Sequence, residues 1–595
     1  LQGLDDTLGQ ILTAHRKDPR RLVQILRAVQ REAGWISPEI AAFLADELCM
    51  PISRIHAVVQ FYAFLYDRPV GRYRVLFSDN IIDRMLGSVA LRQHMQRRMK
   101  VGRGEVSADG LVSIDTTSCT GMGDQGPALM INNRQIVRLT TRRIDEICDL
   151  MRDGAPLEDW PSHYFTISDR IRRAESLLGT SYVPGKALAQ AIELGPQGVL
   201  DDLRRSNLRG RGGAGFTTAM KWELCAEVEA ETRYIICNAD EGEPGTFKDR
   251  VLLNSFAERI FEGMAIGGYA IGARHGVIYL RGEYDYLRAS LEVKLAGMRQ
   301  RGLLGTNVLG VPGFDFDIEI QMGAGAYICG EETALIESLE GKPGRPRIRP
   351  PFPVTRGYKD MPSVVNNVET LCKVVEVMRI GGRAYALLGT KQSTGSKLIS
   401  VSGDVARPGV YEYPFGVRIQ TVLDDCGATD VAAVQISGAG GMTLAPHEFG
   451  RRIAFEDVPT SGAFMVFNRS RDMFEVARNF MHFFAHESCG FCTPCRVGCA
   501  LSASIMDKIA AGLGAQYELN ELTRLGAVMR TSSHCGLGQT AGNAVADTLQ
   551  KFRPDYERRL MAGDFAPAFD LDAALERARQ VTGREDAQAH LEGVA

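Results

Sequence analysis

Three cysteines recur at three-residue intervals in Cys489-Gly-Phe-Cys492-Thr-Pro-Cys495, and Cys535 follows forty positions later within His534-Cys-Gly-Leu-Gly. A C-x2-C-x2-C loop can wrap three thiolates around one site, and a distant fourth closes the cage of a [4Fe–4S] cubane. Zinc is the rival ligand, but structural zinc sites usually take two ligands from each C-x2-C knuckle. The bland alternative, four unrelated buried thiols, sits poorly with even spacing beside Gly and Pro. Cys499, one helical turn past Cys495, reads as a packing residue, because four irons need only four thiolates. The chain has 13 cysteines, eight of them scattered from Cys49 to Cys426. An odd, uneven set in a long chain argues for a metal site and against a disulfide framework.

A second group of residues is rich in glycine, amides and acids. Leu208-Arg-Gly-Arg-Gly-Gly-Ala-Gly-Phe216 contains Gly210-x-Gly212-x-x-Gly215. The dinucleotide fingerprint should follow a strand and open a helix, yet Asp201–Asn207 before it is polar and helix-like, so an ordinary Rossmann reading fails on context. The N–H groups of such a turn can still cradle a phosphate or approach a flat ring, with Arg209, Arg211 and Lys221 adding charge; a plain surface loop is the alternative. Asn238-Ala-Asp240-Glu241-Gly-Glu243 lies at the carboxyl end of a predicted strand. Tyr327-Ile-Cys-Gly330-Glu331-Glu332 and Val365-Asn366-Asn367-Val-Glu-Thr370 add further carboxylates and amides. These could form a solvated rim. They also suit the hydroxyls of ribityl and ribose groups and the hydrogen-bonding edge of a flavin.

The elements that must position these residues follow from hydrophobic period. Leu22, Ile25, Leu26 and Val29 form a helical stripe, and Ile40, Phe43, Leu44 and Leu48 begin another. Short β-like runs then appear at Tyr73–Phe77, Val112–Ile114, Ala128–Ile131 and Ile136–Leu139, with helices at Asp83–Met99 and Arg142–Met151, which suggests a thioredoxin-like unit. Asp153–Ser168, rich in Pro, Asp and Ser, reads as a linker. Strands are predicted at Arg233–Cys237, Gly276–Leu280 and Asp315–Gln321, and helices at Val199–Arg205, Arg250–Ala273 and Tyr284–Arg301. Lys397–Leu444 reads as a small, mostly-β unit, and Met473–Phe552 as helical. The fold class is therefore multidomain α/β. With 595 residues, roughly four domains are expected. Sixty-nine Lys+Arg against 72 Asp+Glu give a net charge of −3, so nucleic-acid binding lacks electrostatic support. Apolar runs such as Ile40–Ala45 and Ala463–Phe467 fall far short of the ~20 residues needed to span a bilayer. Leu1–Arg16 lacks a signal layout, and a soluble cytoplasmic protein is expected.

Leu208–Trp222, Asn238–Arg250, Gly323–Leu335, Val365–Thr370 and Glu487–Gly498 with Cys535 resemble, in order, the signature segments of the NADH-binding flavoprotein subunit of respiratory complex I. Its relatives in NAD-linked hydrogenases and formate dehydrogenases share them. The resemblance covers roughly residues 175–555. It implies one pocket for FMN and NADH, a nearby [4Fe–4S] cluster on Cys489, Cys492, Cys495 and Cys535, and a β-grasp (ubiquitin-like) insert. Carried over by motif, Gly210, Arg211, Gly212, Gly213, Lys221, Asn238, Asp240, Glu241, Tyr327, Gly330, Glu331, Val365, Asn366, Asn367 and Thr370 would bind FMN. Phe216, Glu243, Glu332, Arg349 and Phe352 would contact NADH, the two phenylalanines stacking on the adenine side. Arg349 stands where some members carry Lys, which keeps the charge. Glu241 and Glu332 would position the reactants, with no acid–base role required.

The amino-terminal part resembles the thioredoxin-like partner subunit, fused here in one chain; Gln30–Pro38 and Val59-Gln-Phe-Tyr62 match its helical lead-in. That family holds a [2Fe–2S] cluster on two cysteine pairs. Counted from Gly87, these positions fall on Ser78 and Asp83, then Cys119 and Gly123. No [2Fe–2S] cluster is therefore expected in this domain, which would serve structure and docking. The fused form resembles the diaphorase flavoprotein subunit of cytoplasmic NAD-reducing [NiFe]-hydrogenases. Partners would be the iron–sulfur subunit of the diaphorase module and the hydrogenase small and large subunits. The implied domains are 1–155 (helical lead-in and thioredoxin-like), 156–179 (linker), 180–395 (Rossmann-like, FMN and NADH), 396–470 (β-grasp), 471–560 (helical bundle, [4Fe–4S]) and 561–595 (tail). A flavoprotein subunit of a formate dehydrogenase or complex I relative is the nearest rival. A zinc-bound scaffold and a thiol oxidoreductase acting through Cys119 are the distant ones.

Overall fold

The computed structural model describes residues 2–561 and 571–584. Helices Gln2–Ala14, Leu22–Ala33, Pro38–Glu47 and Ile52–Phe61 lead in. Leu22, Ile25, Leu26 and Val29 are all buried, and the Ser37 side chain caps Pro38–Glu47 by accepting from the Ile40 N–H. Strands β1 (Tyr73–Ser78), β2 (Val112–Thr117), β3 (Leu129–Ile131) and β4 (Arg134–Ile136) follow. They form a sheet of order β2-β1-β3-β4, with β1 and β2 parallel and β3 antiparallel to both β1 and β4.

Three local readings change in this region. The run at Ile136–Leu139 contributes only Ile136 to a strand. Asn132 and Asn133, both at positive φ, make a two-residue hairpin turn of the kind Asn favours, so β4 starts and stops earlier. The helix expected at Asp83–Met99 is two, Ile81–Met85 and Ser88–Met99, parted by Gly87 at φ 92°. The segment read as a linker is also not loose. Trp160 and Tyr164 are buried in the thioredoxin-like core, the Trp160 indole donates to the Ala155 carbonyl at 2.9 Å, and the Tyr164 hydroxyl reaches Glu146 at 2.7 Å. Aromatic burial outweighs a turn-rich composition. Next comes β5 (Ile171–Arg173).

The central unit holds β6 (Tyr234–Ala239), β7 (His275–Leu280), β8 (Asp317–Met322) and β9 (Ser363–Asn367). The sheet is wholly parallel in the order β8-β7-β6-β9. The chain steps outward from β6 to β7 to β8 and then returns to the other side of β6. The crevice beyond the carboxyl ends of β6 and β9 is thus a topological switch point, where open α/β sheets bind ligands. β9 was not legible as a strand because its amides drew attention to chemistry instead. The helix expected at Arg250–Ala273 is divided at Phe256 into Lys248–Ser255 and Ala257–Ile271, and that at Tyr284–Arg301 begins as a 3-10 turn before Arg288–Gln300. The helix read at Val199–Arg205 runs over Lys186–Ser206, kinked at Gly195-Pro196.

The insert contains β10 (Ser396–Gly403), β11 (Gly409–Pro414), β12 (Val431–Ile436), β13 (Met442–Leu444) and β14 (Ala463–Asn468). Its sheet runs β13-β12-β14-β10-β11-β5, so β5, from beyond the expected linker, supplies its edge in parallel with β11. Helix Ile419–Cys426 buries Ile419, Val422, Leu423 and Cys426 in the insert's core. Helices Met473–Glu487, Thr493–Ala510, Gln516–Ser532, Gly536–Thr540 and Asn543–Lys551 then form the carboxyl-terminal bundle. Of the expected tail, helix Leu571–Thr582 is described, while 562–570 and 585–595 lie outside the described residues. No helix is long and apolar enough to cross a membrane, among the described residues.

Helix Val368–Ile380, which continues from β9 towards the core, is held by close contact with Ala257–Ile271. A Cβ at Gly263 would lie 2.2 Å from the Leu371 carbonyl oxygen, so the two backbones touch where only hydrogen fits. Gly263→Ala is expected to cost about 1–3 kcal/mol of stability through overpacking, measured as a lowered midpoint of urea unfolding. An unchanged midpoint would mean that this contact does not constrain the helix pair.

Candidate functional site

At the switch point lies a cavity of about 280 Å³. Gly212, Asn238, Asp240, Glu241, Glu243, Tyr327, Gly330, Glu331 and Asn367 line it, bringing together nine of the residues singled out in sequence. Asn238 and Asn367 are opposed in register on β6 and β9. The Asn238 amide donates to the Gly330 carbonyl at 2.8 Å, and its oxygen accepts the Asp240 N–H at 3.1 Å, tying two loops into one wall. Asn367 caps helix Val368–Ile380 by accepting from the Glu369 N–H, and the open amino end of a helix favours an anion. A Cβ on Gly212 would lie 3.2 Å from that of Asn367; glycine keeps this approach open. The Tyr327 N–H donates to Glu487 at 3.0 Å, fixing the wall to the bundle.

Burial raises each of the three acids here, and their partners differ. Burial pushes the Glu241 carboxyl up to about 7. Its oxygens accept from the Asp249 N–H (2.8 Å), the Arg250 N–H (3.0 Å) and the Tyr284 hydroxyl (2.9 Å), so it anchors the start of helix Lys248–Ser255. Burial likewise pushes Glu243 up to about 7, against the Tyr327 hydroxyl that donates to it at 2.5 Å. Burial raises Asp240 well above the carboxylate range, and its Oδ2 is buried without a hydrogen-bond partner. A buried polar atom left unpaired in the wall of a cavity calls for a hydrogen-bonding partner from a ligand.

Sequence reasoning missed the charges beneath the cavity. Lys248 and Asp249, which line it, pair at 2.7 Å with 2% and 4% of their side chains exposed. Lys248 also reaches Glu369 at 2.9 Å, Lys397 pairs with the same carboxylate, and the Asn367 amide donates to Asp249 at 2.7 Å. Burial works to raise the Glu369 carboxyl, but Lys397 and Lys248 hold it down to about 2. A lysine directly after Gly245-Thr-Phe, opening the helix that Glu241 anchors, was the available signal.

The other singled-out residues stand around this cavity. The Arg211 N–H donates to the Thr370 hydroxyl at 2.9 Å, while its buried guanidinium turns to Tyr385 and the Thr394 carbonyl, away from the cavity. Gly210 closes the loop by donating to the Phe216 carbonyl, and Gly213 lies near Ser461. Asn366 accepts from the Trp222 indole at 2.8 Å. Lys221 is bound to Glu332 at 2.7 Å and to the Val365 carbonyl at 3.2 Å. Arg349 lies 3.8 Å from Glu331 and 3.7 Å from Glu332, with its guanidinium over the Phe352 ring. Phe216 and Phe352 are about half exposed. Lys221, Glu332, Arg349 and Phe352 therefore form a charged rim with an open aromatic face.

All four cysteines of the motif line a second, smaller cavity. Cys492 and Cys535 sit at the starts of helices Thr493–Ala510 and Gly536–Thr540, and Cys495 lies in the first turn of the former. Cys489 lies in the loop after helix Met473–Glu487, and four thiols around one cavity fit an iron–sulfur cage. Cys499 is buried against Met529, with its sulfur 4.0 Å from that of Cys495. Ile328 and Leu537 line both cavities, so a single layer of apolar side chain separates them.

Comparisons with known proteins agree with this layout. Residues 203–376 match the family model described as Nuo51 FMN-binding domain, and 475–559 match the NADH-ubiquinone oxidoreductase-F iron-sulfur binding region. Residues 8–152 match the thioredoxin-like [2Fe-2S] ferredoxin family. That match overturns the expectation of no [2Fe–2S] in the amino-terminal domain. Counting cysteines at four positions was too narrow a criterion. In the structure, Asn80 Nδ2 donates to Ser78 Oγ (2.9 Å), Asp83 Oδ2 (2.6 Å) and Cys119 Sγ (3.3 Å) at one buried point. The chain is 42% identical to the NAD-reducing hydrogenase HoxS subunit alpha of Cupriavidus necator, over 96% of this chain and 98% of that one. It is 41% identical to an NADH-quinone oxidoreductase subunit of Aquifex aeolicus, over 63% and 88%. A crystal structure of an NAD+-reducing [NiFe]-hydrogenase in the H2-reduced state superposes with a TM-score of 0.87 at 42% identity, covering 97% of this chain and 99% of that one.

The Glu243 carboxyl gives a pH prediction. Its value is about 7 in the folded, flavin-free chain against an ordinary 4.5, so the folded state holds its proton more tightly. Its contribution to stability is full below about 4.5 and is lost as pH rises to about 7. The stability difference between wild type and Glu243→Gln, measured by urea unfolding without flavin, should fall across that window by at most about 3 kcal/mol and stay level above it. A flat difference from pH 4 to 8 would contradict the burial assigned to Glu243.

Proposed function

The chain belongs to the family of NAD-reducing hydrogenase alpha subunits, and on that footing we propose that it is the diaphorase subunit of a soluble, cytoplasmic NAD-reducing hydrogenase. It would exchange hydride between NAD(H) and FMN and pass single electrons through a [4Fe–4S] cluster to partners that carry the hydrogen chemistry. Those partners are the iron–sulfur subunit of the diaphorase module and the hydrogenase small and large subunits. The observation that carries this reading is the common wall of the two cavities, formed by Ile328 and Leu537, because it sets a flavin site one side chain from a four-thiol site.

FMN, when bound, supplies the exchange between a two-electron hydride and single electrons. The residues hold and orient. The amino end of Val368–Ile380 and the Gly212 loop receive the phosphate. Asn238, the unpaired Asp240 oxygen and Gly330 receive polar groups of the flavin, and Glu243 with Tyr327 faces the nicotinamide side. Lys221, Glu332, Arg349 and Phe352 form the entrance for the dinucleotide, and Phe216 offers a second exposed ring. Cys489, Cys492, Cys495 and Cys535 hold the cluster.

The assay that decides the machine is NAD+ reduction by the complex purified without oxygen, driven by hydrogen or by formate. Hydrogen-driven reduction is expected. Formate-driven reduction with none from hydrogen would move the same cofactors to a formate dehydrogenase. Within the chain, Cys492→Ala should leave NADH-driven bleaching of the flavin intact and abolish hydrogen-linked turnover; full turnover would refute the cysteine route. Glu332→Gln should weaken NADH binding roughly tenfold, the scale of one hydrogen bond to a charged group, while flavin content stays unchanged. Equal loss of both would show that Glu332 serves the flavin.

A further inference from the structure

We propose that the cleft between the helical lead-in, the thioredoxin-like sheet and the flavin domain is a binding site for a polyphosphate group, separate from the flavin cavity. It has a volume of about 440 Å³, within the range of small-molecule sites. Arg27, Arg31, Arg72, Arg74 and Arg134 line it, against two carboxylates, Glu158 and Asp285.

What distinguishes this cluster is how the guanidiniums are held. Arg27 is paired with Asp285 at 3.1 Å. Arg72 and Arg134 are braced by neutral partners: Arg72 donates to the Gly154 carbonyl at 2.9 Å and lies over the Tyr73 ring, and Arg134 donates to the Leu157 carbonyl at 3.1 Å and lies over the Phe165 ring. Arg74, on β1 two residues after Arg72, lies over Tyr66. Arg31 extends from helix Leu22–Ala33. Among the described residues, none of Arg31, Arg72, Arg74 and Arg134 forms an ion pair with a carboxylate, although ion pairs are common there. Carbonyls and ring faces fix the guanidiniums of Arg72, Arg74 and Arg134 without cancelling their charge, and Arg31 adds a fourth positive fork to the cleft. A guanidinium fork matches phosphate oxygens with two parallel hydrogen bonds. The limited volume of the cleft and the overall charge of −3 favour a short phosphate chain over an extended nucleic acid.

The site also bears on the flavin domain. Arg27 donates to the Gly323 carbonyl at 2.8 Å, at the start of the turn that leads to Tyr327, and Asp285 belongs to the flavin domain. A ligand here would bridge the two domains and brace that turn.

The test is calorimetric titration of the flavin-loaded protein, without NADH, using sodium tripolyphosphate and, separately, ATP. One-to-one binding is expected, weakened at least tenfold in the Arg31→Gln/Arg74→Gln double variant and largely retained in the single Arg74→Lys variant, which keeps the charge. Glu158→Gln, which removes a repelling carboxylate, should tighten binding severalfold, a gain that damage to folding cannot produce. Equal affinity for both probes assigns the site to the phosphate chain alone, and tighter binding of ATP assigns it to a nucleotide; either supports the proposal. No saturable binding, unchanged affinity in the double variant, or complete competition by NADH would overturn it.

Discussion

The structure turns on one buried set of charges. Lys248, Asp249, Glu369 and Lys397 are almost wholly withdrawn from water, and they come from three separate stretches of chain. Lys248 and Asp249 open a helix after β6, Glu369 opens the helix after β9, and Lys397 lies on β10 of the insert. Lys397 also donates to the Arg211 carbonyl at 2.8 Å, so the glycine loop hangs on the same set. Removing one member of such a set leaves an uncompensated buried charge, at a cost of about 3–5 kcal/mol. This network ties together the elements that wall the cavity at the switch point.

A similar logic joins the amino-terminal domain to the flavin domain. Arg250 forms two hydrogen bonds with Asp124, at 2.9 and 3.0 Å, with neither side chain exposed. Arg281 donates to the Cys119 carbonyl at 2.8 Å, and Gln135 to the Glu283 carbonyl at 2.9 Å. Arg250 immediately follows Asp249, and its N–H is held by Glu241. The docking of the first domain and the floor of the cavity therefore share one helix start.

Much of this was legible in sequence where residue type and spacing state the chemistry directly. Four cysteines in a C-x2-C-x2-C pattern with a distant fourth lead to one cavity, and amides at strand ends lead to the switch point. The buried charges were not legible. Lys248, Glu369 and Lys397 are lysines and a glutamate of ordinary appearance, and only the packing of segments distant in the chain removes them from water. Periodicity found the helices but not their breaks, which Gly87 and Phe256 place by backbone conformation. Asn132-Asn133, passed over as ordinary polar residues, was a turn signal by side-chain type. For the amino-terminal domain a single residue type proved too coarse a measure, since Ser78 and Asp83 share the buried point with Cys119.

The edge strand β5 carries a consequence for how the protein is made. Ile171 pairs with Val410, so the strand is synthesised well over two hundred residues before its neighbour exists. At synthesis of about 5–20 residues per second, that interval is on the order of tens of seconds. During it the thioredoxin-like domain can complete its own core and the parallel sheet can assemble, while β5 waits with an unpaired edge. Its brevity and its Ile-Arg-Arg sequence suit that wait, because short, positively charged edges resist pairing with other chains.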